Sequence, residues 1–200
     1  MRRLVLLLTV MAAALVLASG VALAVNKIGT DGPDTLRGTN GDDNLLGKGG
    51  NDILLALAGE DNLLGGAGKD VVNGGSLQEP FGGDKNLVGG DGNDAVQGGK
   101  GSDNMVGGDG NDFMIGGEFN PPAAKDTLSA GAGNDVIDVL NTPAGKDVVT
   151  CGGGFDRILA DRADVVAPDC ERVFVGAREF DAFIASIPES FFPGLHPGVF

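Results

Sequence analysis

Large aliphatic residues punctuate the chain at a spacing of nine: Leu36, Leu45, Leu54, Leu63 and Val72, then Leu87, Val96, Met105 and Met114, then Leu128 and Ile137, with Val149 and Ile158 completing the series. No polar residue interrupts this column. Between its members lie runs of Gly, Asp and Asn, such as GGDGND at 89–94 and again at 107–112. Glycine and Asx residues supply the positive-φ conformations of a tight turn. The three residues that follow predict a short strand, whose alternation sends the middle one to a single face. Each block of nine therefore reads as a six-residue turn and a three-residue strand, with the aliphatic column as the core.

Alternate blocks differ. Strands beginning at Asn44, Asn62, Asn86 and Asn104 read NLL, NLL, NLV and NMV, whereas the interleaved ones read ILL, VVN, AVQ, FMI and VID. The structural repeat is thus two blocks, and like strands stack on like strands at about 4.8 Å. This predicts an all-β solenoid, a flattened roll of two parallel sheets and about seven coils, at two nonapeptides per coil. The four asparagines should form an outward ladder bonded along the stack. Leu46, Leu64, Val88 and Val106 beside them form an outward stripe, either a partner surface or ordinary sheet surface.

The shared template is G-G-x-G-x-D-x-U-x, with U a large aliphatic residue, over roughly 29–166. It resembles the calcium-binding nonapeptide of the repeats-in-toxin (hemolysin-type) family. The resemblance implies a right-handed parallel β-roll with several Ca²⁺ ions between turns of neighbouring coils, bound by aspartate side chains and backbone carbonyls. Catalysis and membrane activity in that family reside in other domains, so neither transfers to this chain.

The sixth position of the template carries Asp34, Asp43, Asp52, Asp61, Asp70, Asp94, Asp103, Asp112, Asp126, Asp135, Asp147 and Asp156. Stacked one rung apart, neighbouring charges repel by roughly 3 kcal/mol at an effective dielectric near 20. Divalent cations between turns reverse that sign. Ca²⁺ suits such a site, since it takes six to eight oxygens in loose geometry; Zn²⁺ would want His and Cys. The other reading is that the aspartates only terminate turns. One edge of the roll keeps six-residue turns and predicts a calcium ladder through Asp34, Asp52, Asp70, Asp94, Asp112, Asp135 and Asp156. The opposite edge takes every length change (SLQEPFG, FNPPA, NTP and the shortened ADRAD). Patchy binding is expected there, at Asp43 and Asp103. Lys85 falls at the aspartate position of the swollen turn, either replacing an ion or pointing to solvent.

Composition changes the picture in two respects. A net charge of -14 with 36 Gly, one His and no Trp or Tyr disfavours nucleic acid and anionic lipid as partners, because both need cationic groups. The chain also has no H-E-x-x-H, G-x-S-x-G or Walker loop, and His196 has no orienting partner, so it does not read as an enzyme. Residues 1–24 read as a signal peptide: MRR, an apolar run and the small-x-small site Ala22-Leu23-Ala24. An uncleaved anchor is the alternative; cleavage would leave no transmembrane span. The expected product is secreted, and Cys151 and Cys170 are then expected to form a disulfide that caps the C-terminal end. Residues 25–175 form the expected roll. Residues 176–200 form a Phe- and Pro-rich tail, in which Phe180, Phe183, Ile184 and Ile187 have helical spacing. That tail is expected to pack over the last rung, or else to bind a partner. Two functions follow: a secreted calcium-binding module that folds on binding, or a calcium-stiffened adhesion protein using the tail or a sheet face against a cell-surface or matrix partner.

Overall fold

The computed structural model describes residues 24–75, 83–84, 86–117, 124–141 and 145–188. Residues 1–23 of the expected leader, the swollen turns at 76–82 and 118–123, Lys85, residues 142–144 and the tail from 189 lie outside them. Sixteen strands form two parallel eight-stranded sheets, one holding the odd-numbered strands and the other the even-numbered ones. The protein is a parallel β-roll. The odd sheet contains β1 (Asn26–Ile28), β3 (Asn44–Gly49), β5 (Asn62–Ala67), β7 (Asn86–Asp91), β9 (Asn104–Asp109), β11 (Thr127–Ala132), β13 (Val148–Gly153) and β15 (Val165–Val166). The even sheet contains β2 (Thr35–Arg37), β4 (Ile53–Leu57), β6 (Val71–Gly75), β8 (Ala95–Gly99), β10 (Phe113–Gly117), β12 (Val136–Asp138), β14 (Arg157–Ala160) and β16 (Arg172–Val175).

The aliphatic column is buried throughout, from Leu36 at the first rung to Ile158 near the last. Most strands are longer than three residues, however. In the odd sheet they run on through the first glycines of the next turn, as in Asn44–Gly49. In-register pairing at Gly66↔Gly90↔Gly108 holds these glycines in the ladder. A second inward column results at the first template position, mostly Gly with Ala56, Ala130, Val139, Cys151 and Ala160. The roll also gains rungs at its ends, since β1, β15 and β16 lack the template yet pair in register. The asparagine ladder forms and begins one rung earlier, with Nδ2 to Oδ1 distances of 2.7 Å for Asn44 to Asn26 and 2.8 Å for Asn86 to Asn62.

The two ends are finished differently. At the N-terminal end Lys27 pairs with Leu45 and so occupies the core column; its Nζ donates to the Arg37 carbonyl at 2.6 Å. At the C-terminal end the disulfide forms between Cys151 and Cys170, with Cα atoms 5.2 Å apart, tying together the last two turns of one edge. A loop of that length is stabilised by about 3 kcal/mol on the chain-entropy model. Among the described residues of the tail a helix forms, α1 (Phe180–Ser186), and this helix does not cover the last rung. Val173, the last inward residue, pairs with Ile158 and remains 39% exposed. Phe183 instead packs with Val136, Leu159 and Phe174 on the outer face of the even sheet, its ring edge-on to Phe174 at 5.7 Å. Apolar residues at outward positions of β12, β14 and β16 gave the helix a drier site than the narrow end of the roll. Only Phe183 of the expected apolar face is fully buried; Phe180 and Ile184 remain exposed.

Two non-glycine residues, Lys48 in the odd sheet and Leu57 in the even sheet, have positive φ. Lys48 has φ 85° where its register partners Gly66, Gly90, Gly108, Gly131 and Gly152 are glycines with φ between 95° and 125°. Lys48→Gly is therefore expected to raise stability by about 0.5–1 kcal/mol, relief of positive-φ strain exceeding the entropic cost of glycine. Gly108→Ala should lower it by more than about 3 kcal/mol, since its Cβ would overlap the Gly90 carbonyl. Urea unfolding in excess calcium measures both.

Candidate metal centre

Each turn delivers its sixth-position aspartate to the start of a strand, where the backbone is already held by the ladder. The Asp34 carbonyl accepts from Ile53, Asp52 from Val71 and Asp94 from Phe113. The side chain then bonds backwards along the stack, one Oδ1 accepting the backbone N–H of the aspartate one coil earlier. On the uniform edge this runs Asp34 to Asp52, Asp52 to Asp70, Asp70 to Asp94, Asp94 to Asp112, Asp112 to Asp135 and Asp135 to Asp156, at 2.8–2.9 Å. Glu171 ends it, its Oε2 accepting from Asp156 at 2.9 Å.

The opposite edge is equally continuous. Its ladder runs through Asp43, Asp61, Asp84, Asp103, Asp126, Asp147 and Asp164, at 2.6–3.0 Å. Length changes fall between the coils and leave the aspartate rung in place. Asp84, not Lys85, occupies the rung of the swollen turn. The nine-residue phase counted back from Asn86 misplaces it by one residue. Asp84 and Asp164 were missed because neither follows the glycine template, though each lies within two residues of a strand start.

Burial makes these carboxylates unusual. Asp43, Asp52, Asp61, Asp112, Asp126, Asp135, Asp147 and Asp156 are at most 1% exposed. With Oδ1 engaged, the second oxygen decides the chemistry. For Asp52, Asp61, Asp70, Asp94, Asp103, Asp112, Asp126, Asp135 and Asp156, no donor reaches the buried Oδ2. In four others the second oxygen is engaged. Asp34 Oδ2 accepts from Thr30 N at 2.5 Å and Thr30 Oγ1 at 2.9 Å, Asp43 Oδ2 accepts from Thr39 N, Asp147 Oδ2 accepts from Asn141 Nδ2 at 2.9 Å, and Asp164 Oδ2 accepts from Asp161 N at 2.8 Å.

At Asp52, Asp70, Asp94, Asp103 and Asp112 the orphaned oxygen lies against the first-position glycine of its own turn, beside a carbonyl of the next coil. A Cβ at Gly89 would come within 2.5 Å of Asp94 Oδ2 and 2.6 Å of the Gly107 carbonyl; one at Gly98 would come within 2.6 Å of Asp103 Oδ2 and 2.5 Å of the Gly116 carbonyl. At these five turns glycine leaves room for carboxylate and carbonyl oxygens to share that space, whereas Ala56, Ala130 and Cys151 stand at the first position of the turns of Asp61, Asp135 and Asp156. Among the described residues no three His, Cys, Asp or Glu side chains gather as a metal-holding group. An ion here would depend on one or two carboxylates completed by backbone carbonyls. That hard, all-oxygen donor set fits Ca²⁺.

Desolvation is the main cause of the raised pKa values along the ladders. It pushes Asp61, Asp94 and Asp135 up to about 6, Asp84, Asp112 and Asp126 to about 7, and Asp103 to about 8; ladder neighbours raise them further, while accepted backbone hydrogen bonds oppose the shift. Folded-state values above the unfolded value near 3.9 mean that the metal-free fold takes up protons. Its stability is greatest below about pH 4 and is lost as pH rises through 6–8. In chelator, the folded fraction should therefore fall between pH 5 and 8, whereas with calcium the same interval should strengthen folding. Circular dichroism at a series of pH values checks the sign. Asp112→Asn should raise chelated stability at pH 8 by about 1–3 kcal/mol, because it removes a buried charge and offers an N–H toward the Ala130 carbonyl. The same change should weaken calcium binding, measured by titration calorimetry.

Neither curated proteins nor solved structures yield a match. The model of the RTX calcium-binding nonapeptide repeat matches in four copies, at residues 28–63, 46–76, 88–120 and 123–141, together half of the chain. Its repeats bind multiple Ca²⁺ ions, as the acidic, glycine-lined turns require. The chain belongs to the RTX calcium-binding nonapeptide repeat family.

Proposed function

We propose that this is a secreted calcium-binding protein that folds on binding several Ca²⁺ ions between its coils and carries no catalytic domain. The observation that supports this best is the set of nine buried carboxylate oxygens on the two ladders that have no donor. An unpaired buried charge costs several kcal/mol, so at neutral pH each must be protonated or neutralised by a cation. The proposed ligands are Asp52, Asp70, Asp94, Asp112, Asp135 and Asp156 on one edge and Asp61, Asp103 and Asp126 on the other, with carbonyls of adjoining turns. Asp34 and Asp43, whose second oxygens are bonded to Thr30 and Thr39, are assigned a structural role at the N-terminal rung.

An extracellular address agrees with the Cys151–Cys170 disulfide and with a family that is generally extracellular. Calcium scarcity inside a cell would keep the chain open until export, when calcium outside drives the roll to close. Among the described residues no helix is long and apolar enough to cross a membrane. A recognition role would draw on Phe180 and Ile184, which α1 leaves exposed, and would sit on top of the same calcium-dependent scaffold.

Far-UV circular dichroism of the mature chain at pH 8, titrated with Ca²⁺, Mg²⁺ and chelator, tests the proposal. A cooperative gain of β signal with Ca²⁺ and little with Mg²⁺ is expected. A fold indifferent to chelation at that pH would overturn it.

A further inference from the structure

The first rung of the second carboxylate ladder has no preceding coil. At every later rung of that edge, Oδ1 accepts the backbone N–H of an aspartate one coil earlier. At Asp43 the donor is the backbone nitrogen of Val25, at 2.6 Å. Val25 is held in place from its other side as well, since its carbonyl accepts from Asn44 N at 2.9 Å. The next residue, Asn26, pairs with Asn44 and begins β1. Val25 thus occupies the aspartate position of a coil that is otherwise missing.

This is also the residue at which the leader is read to end, after Ala22-Leu23-Ala24. We propose that hydrolysis of the Ala24–Val25 bond gives a mature chain whose new α-ammonium pairs with the Asp43 carboxylate and closes the N-terminal end of that ladder. The inference rests on the reading of residues 1–24 as an export leader. The step consumes one water: Ala24 leaves as the carboxylate end of the leader and Val25 keeps the amine, which takes up a proton and is largely cationic at pH 7. In the uncut chain the same nitrogen is a neutral amide with one hydrogen to donate.

The charge meets a carboxylate suited to it. Asp43 is fully buried, and its Oδ2 already accepts from Thr39 N, so the exposed-end cation is needed only at Oδ1. Farther along the edge, Asp61 and Asp103 have the second oxygen unpartnered and call for an ion between coils. The protein's own terminus supplies at the first rung the positive charge that calcium is proposed to supply at the later ones. Maturation and folding are coupled by this contact, because the leader-bearing chain lacks the cation.

Two measurements decide it. Intact mass of the exported protein should place its N-terminus at Val25; any other terminus overturns the proposal. Urea unfolding in saturating calcium then compares the chain starting at Val25 with one carrying Gly-Ser-Ala ahead of Val25, each with Asp43 intact and with Asp43→Asn. The extension should lower the folding constant roughly tenfold with Asp43 intact, the worth of a charge-assisted over a neutral hydrogen bond. With Asp43→Asn it should lower it by less than about twofold. Equal losses in the two backgrounds, or no loss, overturn the pairing. If Asp43→Asn does not fold, trace acylation of the intact mature protein replaces the cycle. The α-amine should react more slowly folded than in urea, and an unchanged rate overturns the pairing. Loss of calcium-dependent circular dichroism would refute the calcium reading while leaving these outcomes readable.

Discussion

Everything in this fold follows from a carboxylate placed at each turn and then stacked on its neighbours. Parallel strands repeat at about 4.8 Å, so in-register stacking brings like charges to within one rung along both edges. One oxygen of each aspartate is used to join coils, accepting the N–H of the previous rung. The other is left dry for most of the ladder. The group that sets the register thus also prevents the stack from being stable alone at neutral pH. On the proposed function, cation binding and folding are one equilibrium, because the site exists only when two coils are stacked.

Glycine and the aliphatic column serve that arrangement. The narrow interior holds one large side chain per strand, and the second inward position is mostly glycine because a carboxylate oxygen and a carbonyl approach it together. Core packing alone gives each coil only two substantial buried side chains. Such a thin core leaves much of the cohesion to the edges, and the disulfide, Lys27 and the outer-face helix strengthen the ends where no further coil is present.

The repeat made the core column, the eighteen-residue coil, the asparagine ladder and the disulfide legible, since each depends on spacing that the roll preserves. Asp84 was hidden because spacing alone cannot detect an extra residue between the rung and its strand. The continuity of the length-variable edge was hidden for a related reason: insertions between rungs alter the sequence phase but not the hydrogen-bonded position. Strand ends were underestimated at Gly47–Gly49 because turn propensity there is overridden by ladder pairing with Gly65–Ala67. The helix was visible in the spacing of Phe180, Phe183, Ile184 and Ile187, but its docking site required knowing that Val136, Leu159 and Phe174 meet on one outer face.

The central claim is that the aspartate rungs are closed by cations and open without them. Amide hydrogen exchange at pH 7.5 reads this at the backbone N–H groups of Asp52, Asp70, Asp94 and Asp112, each bonded to the carboxylate of the next coil. With calcium these amides should be among the most protected in the chain, and in chelator they should exchange at nearly unfolded rates. Protection unchanged by chelation would contradict the account.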